Sequence, residues 1–233
     1  MLGIVVSLSW ELKSLTRQTI PVGSCRSIAD NVIVALSGIG AERAYAAGSR
    51  LIAEGATALV SWGFAAALDP RLNAGSLILP EHIIGASGGV HAVSAEWHRR
   101  LCQSLSSQRA VHTNALVESD NIVRTPDEKR ALAKRTQAIA TDMESAAQAR
   151  LASEHRLPFV ALRAIIDTAS TDIPEKLLKA LDSEGDISVW KLVTRGCIRP
   201  PDWPKVLQLG IQFNAAQRTL KKTRKLVLDS PRF

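Results

Sequence analysis

The chain has 233 residues and a mass of 25.1 kDa, which is enough for one α/β domain with a sizeable core. Hydrophobic residues make up 46% of it and charged residues 22%, so the composition excludes an intrinsically disordered chain and a low-complexity fibre. The formal net charge of +7 predicts an anionic surface among its partners.

The three cysteines and five histidines are scattered and form no metal-ligand cluster. We therefore predict no metal site, no cofactor and reduced thiols at Cys25, Cys102 and Cys197. The N-terminus lacks the basic flank of a signal peptide. The longest apolar stretch, Ala56–Leu68, is shorter than the roughly 20 residues that span a bilayer. These features predict a soluble, cytoplasmic protein.

In the first half of the chain, apolar runs alternate with helical patterns, which is typical of βαβ units. Strands are predicted at Leu2–Leu8, Asn31–Ser37, Ala58–Trp62 and Ser76–Leu79. A helix is predicted at Trp10–Arg17, and a second follows Gly40 with an apolar stripe at Ala44, Ala47 and Leu51. Gly63–Asn73 is predicted to be a loop.

The second half continues the alternation. The elements predicted there are a helix opened by Pro126, a strand at Ala138–Thr141, a helix with the apolar stripe Met143, Ala147 and Leu151, and a strand at Pro158–Ile166. Beyond Asp172 the pattern is helical and increasingly basic, and residues 203–233 are predicted to form a basic C-terminal helical extension. With no linker in sight, we predict one three-layer α/β domain over residues 1–233, with a mixed, mostly parallel central sheet flanked by helices.

Acidic side chains follow three of the predicted strands: Glu11, the pair Asp142 and Glu144, and Asp167. Ligands of open α/β sheets bind outside the carboxyl ends of the strands, so one sheet would gather these acids at one rim. Such a cleft suits cleavage of a glycosidic bond, because one acid protonates the leaving group while a second carboxylate activates water. The residues alone predict this cleft and do not select its substrate.

Several short segments occur in a characteristic order along the chain. They are Ser37-Gly38-Ile39-Gly40, Gly63–Leu68 with Asn73–Ser76, and Thr141-Asp142-Met143-Glu144-Ser145-Ala146-Ala147 followed by Arg163-Ala164-Ile165-Ile166-Asp167. Together they resemble the nucleoside phosphorylase superfamily, and within it the methylthioadenosine/S-adenosylhomocysteine nucleosidase branch. The resemblance covers roughly residues 1–170 and implies a nucleoside phosphorylase-like fold, cleavage of the N-glycosidic bond of a purine nucleoside, and a homo-oligomer.

The resemblance also implies residue roles. It makes Asp167 the catalytic acid that protonates the purine and Glu11 the catalytic carboxylate that activates water. The substrate-binding positions that it implies are Glu144 and Met143 at the ribose, Arg163 in support of the carboxylates, Ile122 and Val123 at the adenine, and Phe64 and Ala65 in the segment after Gly63.

Two departures from the family pattern affect the site. The family's T-G-S-A-G-G-L stands here as Trp62–Leu68, in which a serine and two glycines are lost, so close approach of the backbone to a ligand is reduced there. Ile166 replaces the serine that precedes the catalytic aspartate. A more apolar neighbour predicts a raised pKa for Asp167, which suits a proton donor.

Within the superfamily, Ser61-Trp62-Gly63 with Leu68-Asp69-Pro70 and the basic tail resemble the hopanoid-associated phosphorylases, which are thought to remove adenine from adenosylhopane. Phe64 and Ile166 suit a large apolar 5′ group on the nucleoside. The tail suits peripheral contact with an anionic membrane, since basic residues without an interleaved acid recur at Arg218, Lys221, Lys222, Arg224 and Lys225.

Water is favoured over phosphate as the nucleophile. The segment Ser9–Lys13 offers no arginine for an oxyanion, and the Glu11 carboxylate would repel phosphate. Three alternatives stay open: a methylthioadenosine/S-adenosylhomocysteine nucleosidase, a purine nucleoside phosphorylase and, in a different class, a non-catalytic nucleoside-binding protein at the membrane surface. No specific nucleic-acid partner is predicted, and nonspecific binding through the positive charge is the weakest alternative.

Overall fold

The computed structural model describes residues 1–107, 110–174 and 203–228. Its helices are α1 (Ser9–Leu15), α2 (Ala41–Ala53), α3 (Ala95–Ser106), α4 (Pro126–Thr136), α5 (Ser145–Glu154) and α6 (Trp203–Leu228). Its strands are β1 (Leu2–Val6), β2 (Ser24–Ala29), β3 (Val32–Leu36), β4 (Ala58–Ala67), β5 (Leu77–Ile78), β6 (His82–Ile84), β7 (Val90–Ala92), β8 (Val111–His112), β9 (Leu116–Glu118), β10 (Ala140–Asp142) and β11 (Phe159–Asp167). The helical pattern predicted just beyond Asp172 falls on residues 175–202, outside these ranges.

The long strand β4 organises the sheet. β11 runs parallel along one edge of it, up to the pair Asp167 and Ala66. The other edge is shared: β1 pairs in parallel as far as Ser61, and β10 pairs antiparallel from Ala66 onward. Within the described ranges, residues 62–65 therefore have no strand partner on that edge. This gap between β1 and β10 is where the functional side chains collect.

Side chains of β4 alternate between two cores, as the pleat of a strand requires. Trp62 and Phe64 pack with apolar residues of α1, α3 and α6. Leu59 and Ala65 pack on the opposite face with residues of α2 and α5. Helices thus cover both faces, and parallel strand pairs such as β1 with β3 and β9 with β10 outnumber antiparallel ones. The predicted three-layer α/β fold with a mixed, mostly parallel sheet is confirmed.

Two local predictions are wrong. Gly63–Ala67 is not the start of a loop, because β4 continues through it. Its side chains are small or apolar and both faces are covered, so the segment is stabilised as a buried strand. Met143 is not part of a helical stripe, because it lies between β10 and α5, whose first residue is Ser145. Ala147 and Leu151 of that stripe are buried on α5 as predicted.

The basic tail contains the helix α6, which packs against α1 and β11. Ala216, Leu220 and Val227 are buried in the first core. The basic residues point away from that core and are exposed at positions 218, 221, 222, 224 and 225. Among the described helices, α6 included, none has the length and apolar composition needed to cross a membrane.

Candidate active site

Glu11 fills the gap on the edge of β4. It lies in the first turn of α1, where its Oε2 accepts hydrogen bonds from the backbone N–H groups of Ser7 at 2.7 Å and Leu8 at 3.0 Å. Its Oε1 accepts one from the N–H of Phe64 at 2.8 Å. The buried carboxylate therefore satisfies donors of the helix start and of the unpaired strand edge at once.

Gly63 makes this approach feasible. A Cβ atom at this position would lie 2.2 Å from Oε1 of Glu11, well inside the contact distance of any real side chain. Two glycines of the family pattern are lost after Phe64, but Gly63, which leaves room for the carboxylate, is kept. The requirement for glycine here is steric, since the backbone of Gly63 does not adopt a positive φ.

Glu144 is held from two other segments. It precedes α5, and its Oε1 accepts a hydrogen bond from the N–H of Gly40 at 2.9 Å, at the start of α2. Its Oε2 accepts one from the N–H of Met143 at 3.2 Å. A cavity of about 220 Å³ adjoins this point, and its lining includes Gly40, Arg43, Ser119, Asp120 and Met143. Gly40 and Met143, whose N–H groups donate to Glu144, therefore line this small open space.

Arg163 supports the carboxylates from beneath rather than facing the cavity. On β11 it pairs in register with Gly63, and its guanidinium is buried. Its Nε donates to Asp142 Oδ2 at 2.8 Å, and its Nη2 donates to the hydroxyls of Ser61 at 2.6 Å and Ser145 at 2.8 Å. These bonds tie β4, β10, β11 and the start of α5 together around the gap.

The charges of this group are coupled. Burial raises the pKa of Glu11, against the opposing effects of Arg163 and of the backbone N–H donors. Burial and the neighbouring carboxylates of Asp142 and Glu11 raise the pKa of Glu144 to about 8. Glu144 therefore keeps its proton at neutral pH, and a protonated carboxyl both donates and accepts hydrogen bonds. Such a group is suited to a pair of ribose hydroxyls.

Asp167 is the last residue of β11 and lies beside the part of β4 that follows the gap. A bulge at Ile166 brings it into register with Ala66, while Thr141 of β10 pairs with Ala66 from the other edge. Bulges next to active sites commonly re-aim a side chain in this way. Ala66 lies two residues beyond Phe64, which is about 7 Å along a strand. The C-terminal ends of β10 and β11 thus lie on opposite edges of β4, next to the gap.

The partner of Asp167 is Lys129, a buried residue of α4. Lys129 Nζ donates to Asp167 Oδ2 and to the carbonyl oxygens of Thr168 at 2.8 Å and Thr171 at 3.1 Å. Burial raises the pKa of Asp167 and the ammonium of Lys129 opposes that rise. The pKa of Asp167 is thus raised, in the direction expected from its apolar neighbour Ile166. The Lys129 ammonium acts against this rise, and the sequence interpretation did not predict that partner.

Three aromatic rings pack together at the core that covers one face of β4. Phe213 of α6 meets Trp10 edge-on, with ring centroids 5.3 Å apart, and meets Phe64 at 5.7 Å. Ile166 packs against the same core. We call Trp10, Phe64 and Phe213 the aromatic wall. Phe64 is buried in this core, on a strand and not on a loop, and its contact with the substrate stays a prediction.

Three predicted substrate contacts have other surroundings. The side chain of Ala65 packs in the core under α2 and α5, on the face of β4 opposite to Phe64. Val123 packs against a third small core around Leu68 and Leu132. Ile122 is 37% exposed to solvent. A ligand contact of Ala65 would therefore involve its backbone, and the adenine roles of Ile122 and Val123 stay predictions.

The sequence interpretation missed Lys129, Gly63 and Phe213. A signal for Lys129 existed, because it lies three residues before Leu132 and these two are the buried residues of α4. A lysine on the apolar stripe of an amphipathic helix indicates a buried partner. Phe213 left no such signal, since its contact with Phe64 joins residues that are distant in the chain.

A model of the phosphorylase superfamily matches residues 2–187. The chain belongs to this superfamily. Comparison with the sequences of curated proteins gives no match. Solved structures do match over nearly their whole length. A 5′-methylthioadenosine/S-adenosylhomocysteine nucleosidase of Helicobacter pylori is 17% identical, with a TM-score of 0.73 over 98% of this chain and 96% of the other.

Two further structures give the same result. The futalosine hydrolase of Helicobacter pylori is 17% identical, with a TM-score of 0.72 over 98% of this chain and 96% of the other. A methylthioadenosine/S-adenosylhomocysteine nucleosidase of Neisseria meningitidis, in complex with methylthio-immucillin-A, is 17% identical, with a TM-score of 0.69 and the same coverage. At this identity the matches establish the fold, and the residues of the chain must supply the chemistry.

Proposed function

We propose that this protein hydrolyses the N-glycosidic bond of an adenine nucleoside and releases adenine. In this proposal Asp167 protonates the purine, Glu11 activates water and Glu144 binds the ribose hydroxyls. The observation that carries it is the arrangement around β4: two buried carboxyl groups at the gap and a third two residues farther along the strand. Superfamily membership and the folds of the matching nucleosidases support it.

Each group suits its role. Breaking the bond places positive character on the ribose and negative charge on the leaving purine, so the reaction needs a proton donor and a base in different surroundings. Burial raises the pKa of both carboxyl groups; at Asp167 the opposing group is the Lys129 ammonium, and at Glu11 the opposing groups are Arg163 and three backbone N–H donors. Glu144, protonated at neutral pH, places no further negative charge next to Glu11.

Water is the better nucleophile for this site. A phosphate next to Glu11 would meet its carboxylate, and Arg163 already donates to Asp142, Ser61 and Ser145. One observation favours phosphorolysis as the second candidate: Arg43 borders the cavity next to Gly40, at the N-terminus of α2. Helix N-termini and arginines are the usual elements of an oxyanion site.

Adenine release by purified protein, measured with and without phosphate, tests the proposal. We expect release in a phosphate-free buffer at an unchanged rate. A rate proportional to phosphate concentration would assign phosphorolysis instead. Tight binding of adenine nucleosides with no turnover under either condition would favour a non-catalytic nucleoside-binding protein.

For the 5′ group of the substrate, we propose a large apolar chain, with adenosylhopane as the substrate. The aromatic wall and Ile166 form an apolar cluster that includes Phe64, whose backbone N–H donates to Glu11, and a sulfur-linked polar amino acid would gain little against such a cluster. One preparation assayed on adenosylhopane, methylthioadenosine and S-adenosylhomocysteine decides the point. We expect the highest kcat/KM on adenosylhopane, and a preference for S-adenosylhomocysteine would reject this assignment.

We further propose that α6 contacts an anionic membrane surface at its basic face. Five exposed basic residues occupy positions 218–225, and Leu207 and Ile211 are exposed on the preceding turns, with 67% and 64% of their surface accessible. Each basic residue close to such a surface contributes about 1 kcal/mol. Replacing Lys221 and Lys222 by Gln should weaken binding to phosphatidylserine vesicles about 30-fold. The matched control replaces Lys134 and Arg135 of α4 by Gln, and equal binding by both variants would reject the assignment.

A further inference from the structure

Lys129 is a buried ammonium with every donor occupied. Its side chain has no solvent-accessible surface, and its three protons go to Asp167 Oδ2 and to the carbonyl oxygens of Thr168 and Thr171. Burying a lysine is costly unless its charge is paired. Its side-chain partner is Asp167, the residue that the proposed function makes the proton donor.

We propose that Lys129 is a positioning residue for proton transfer: it fixes Asp167 through Oδ2, leaves Oδ1 for the purine, and stabilises the carboxylate that remains once the proton has left. This rests on the proposed function of Asp167. Oδ1 accepts no hydrogen bond from residues 1–107, 110–174 or 203–228 that would compete with a ligand. The ammonium therefore restricts the orientation of the carboxyl group.

The balance of the reaction shows when the charge of Lys129 matters. The electron pair of the C1′–N9 bond leaves with the purine, whose N7 takes the proton of Asp167. The oxygen of water bonds to C1′, and its proton passes to Glu11. Asp167 is then a carboxylate next to an ammonium; a solvent proton restores the acid, and Glu11 releases its proton to solvent. The attraction is weak before transfer and strong after it, so it lowers the barrier and not only the energy of the bound substrate.

The pH dependence follows from the groups that face Asp167. Lys129 is the charged side chain that acts on it within the described ranges. β4 contributes Ala66, the segment after β11 contributes hydroxyl and carbonyl groups, and α6 reaches Thr171 through the neutral amide of Gln212. Because the ammonium lowers the pKa of Asp167, removing it must raise that pKa. Activity that needs protonated Asp167 would then persist to higher pH.

The test uses two leaving groups and three variants. Lys129→Met removes the charge, Lys129→Gln keeps a donor for the carbonyls of Thr168 and Thr171, and Lys129→Arg keeps the charge. The substrates are an adenine nucleoside that the wild type turns over and 4-nitrophenyl β-D-riboside, whose phenolate leaves without a proton. We expect kcat for the nucleoside to fall about 100-fold in the Met and Gln variants, and less in the Arg variant.

On the nitrophenyl riboside we expect changes within about threefold, because no proton is transferred to that leaving group. The alkaline limb of kcat for the nucleoside should move to higher pH in Lys129→Gln. Parallel losses on both substrates, or an unmoved alkaline limb, would overturn the proposal and leave Lys129 a structural residue. A wild type that releases no adenine would instead reject the function proposed for the site, before any variant of Lys129 is made.

Discussion

The carboxylates on the two sides of Ala66 are stabilised in opposite ways. At the gap, Glu11 and Glu144 are held by backbone N–H groups, and Arg163 donates to Asp142 and to two serines. Asp167 has a cation of its own in Lys129. Burial raises the pKa of all three carboxyl groups, and this rise is opposed by backbone N–H groups and Arg163 at the gap but by the Lys129 ammonium at Asp167. Following the proposed function, we call the region of Glu11 and Glu144 the base side and the region of Asp167 the acid side.

The largest effect should come from the acid side. Asp167→Asn keeps the size of the side chain and a hydrogen-bond acceptor for Lys129 but cannot supply a proton. We expect kcat for adenine release to fall by about 10²- to 10⁴-fold while adenine still binds. Steady-state kinetics and calorimetric titration with adenine measure the two quantities. Asp127→Asn, at an exposed acid of α4, is the control. Near-full activity of Asp167→Asn would show that Asp167 is not the proton donor.

The second effect should come from the loss of the Arg163 guanidinium, which links β4, β10 and β11. Arg163→Met leaves the buried carboxylate of Asp142 without its cation, and we expect the free energy of unfolding to drop by about 3–5 kcal/mol. Urea denaturation measures this drop. Arg130→Met removes a surface ion pair with Asp127 and should cost at most about 1 kcal/mol. If both variants lost the same small amount, Arg163 would not be the structural support of the base side.

On the base side a single methyl group tests the position of Glu11. In Gly63→Ala the new Cβ meets Oε1 of Glu11, so the carboxylate must move. A displacement near 1 Å at a reacting group can cost about 100-fold in rate. We expect a loss of that order in kcat. Gly210→Ala on α6, where a Cβ has no neighbour within 4 Å, should leave kcat unchanged. Equal rates for the two variants would contradict the proposed role of Glu11.

The smallest effect concerns the pH dependence of stability. The pKa of Glu144 is raised from 4.5 to about 8, so the folded state holds a proton that the unfolded state releases. Its contribution to stability is fully present below pH 4.5 and is lost as the pH rises toward 8. We expect Glu144→Gln to flatten the fall of Tm over this interval, while the exposed Glu96→Gln does not. An unchanged slope in Glu144→Gln would show that Glu144 is ionised at neutral pH.

Much of the fold was predictable because its signals are local. The buried strands β1, β3 and β11 are continuous apolar runs, and α4 begins at a proline that follows a capping threonine. The continuation of β4 through Gly63–Ala67 was not predictable, since a run of small residues has no periodicity of its own. It is a strand because β10 and β11 pair with it from both edges.

The sequence by itself singled out Glu11, Glu144 and Asp167 as candidate functional carboxylates, because they follow strand-like segments and lie in or near segments that resemble one family. It also predicted that the surroundings of Asp167 would raise its pKa. Only the tertiary structure decided that Lys129 pairs with Asp167, that Gly63 admits Glu11, and that Phe213 completes the aromatic wall. These are contacts between residues from 38 to 149 positions apart or steric limits on space, and neither has a local signature. Packing fixes them, and packing is a property of the whole chain.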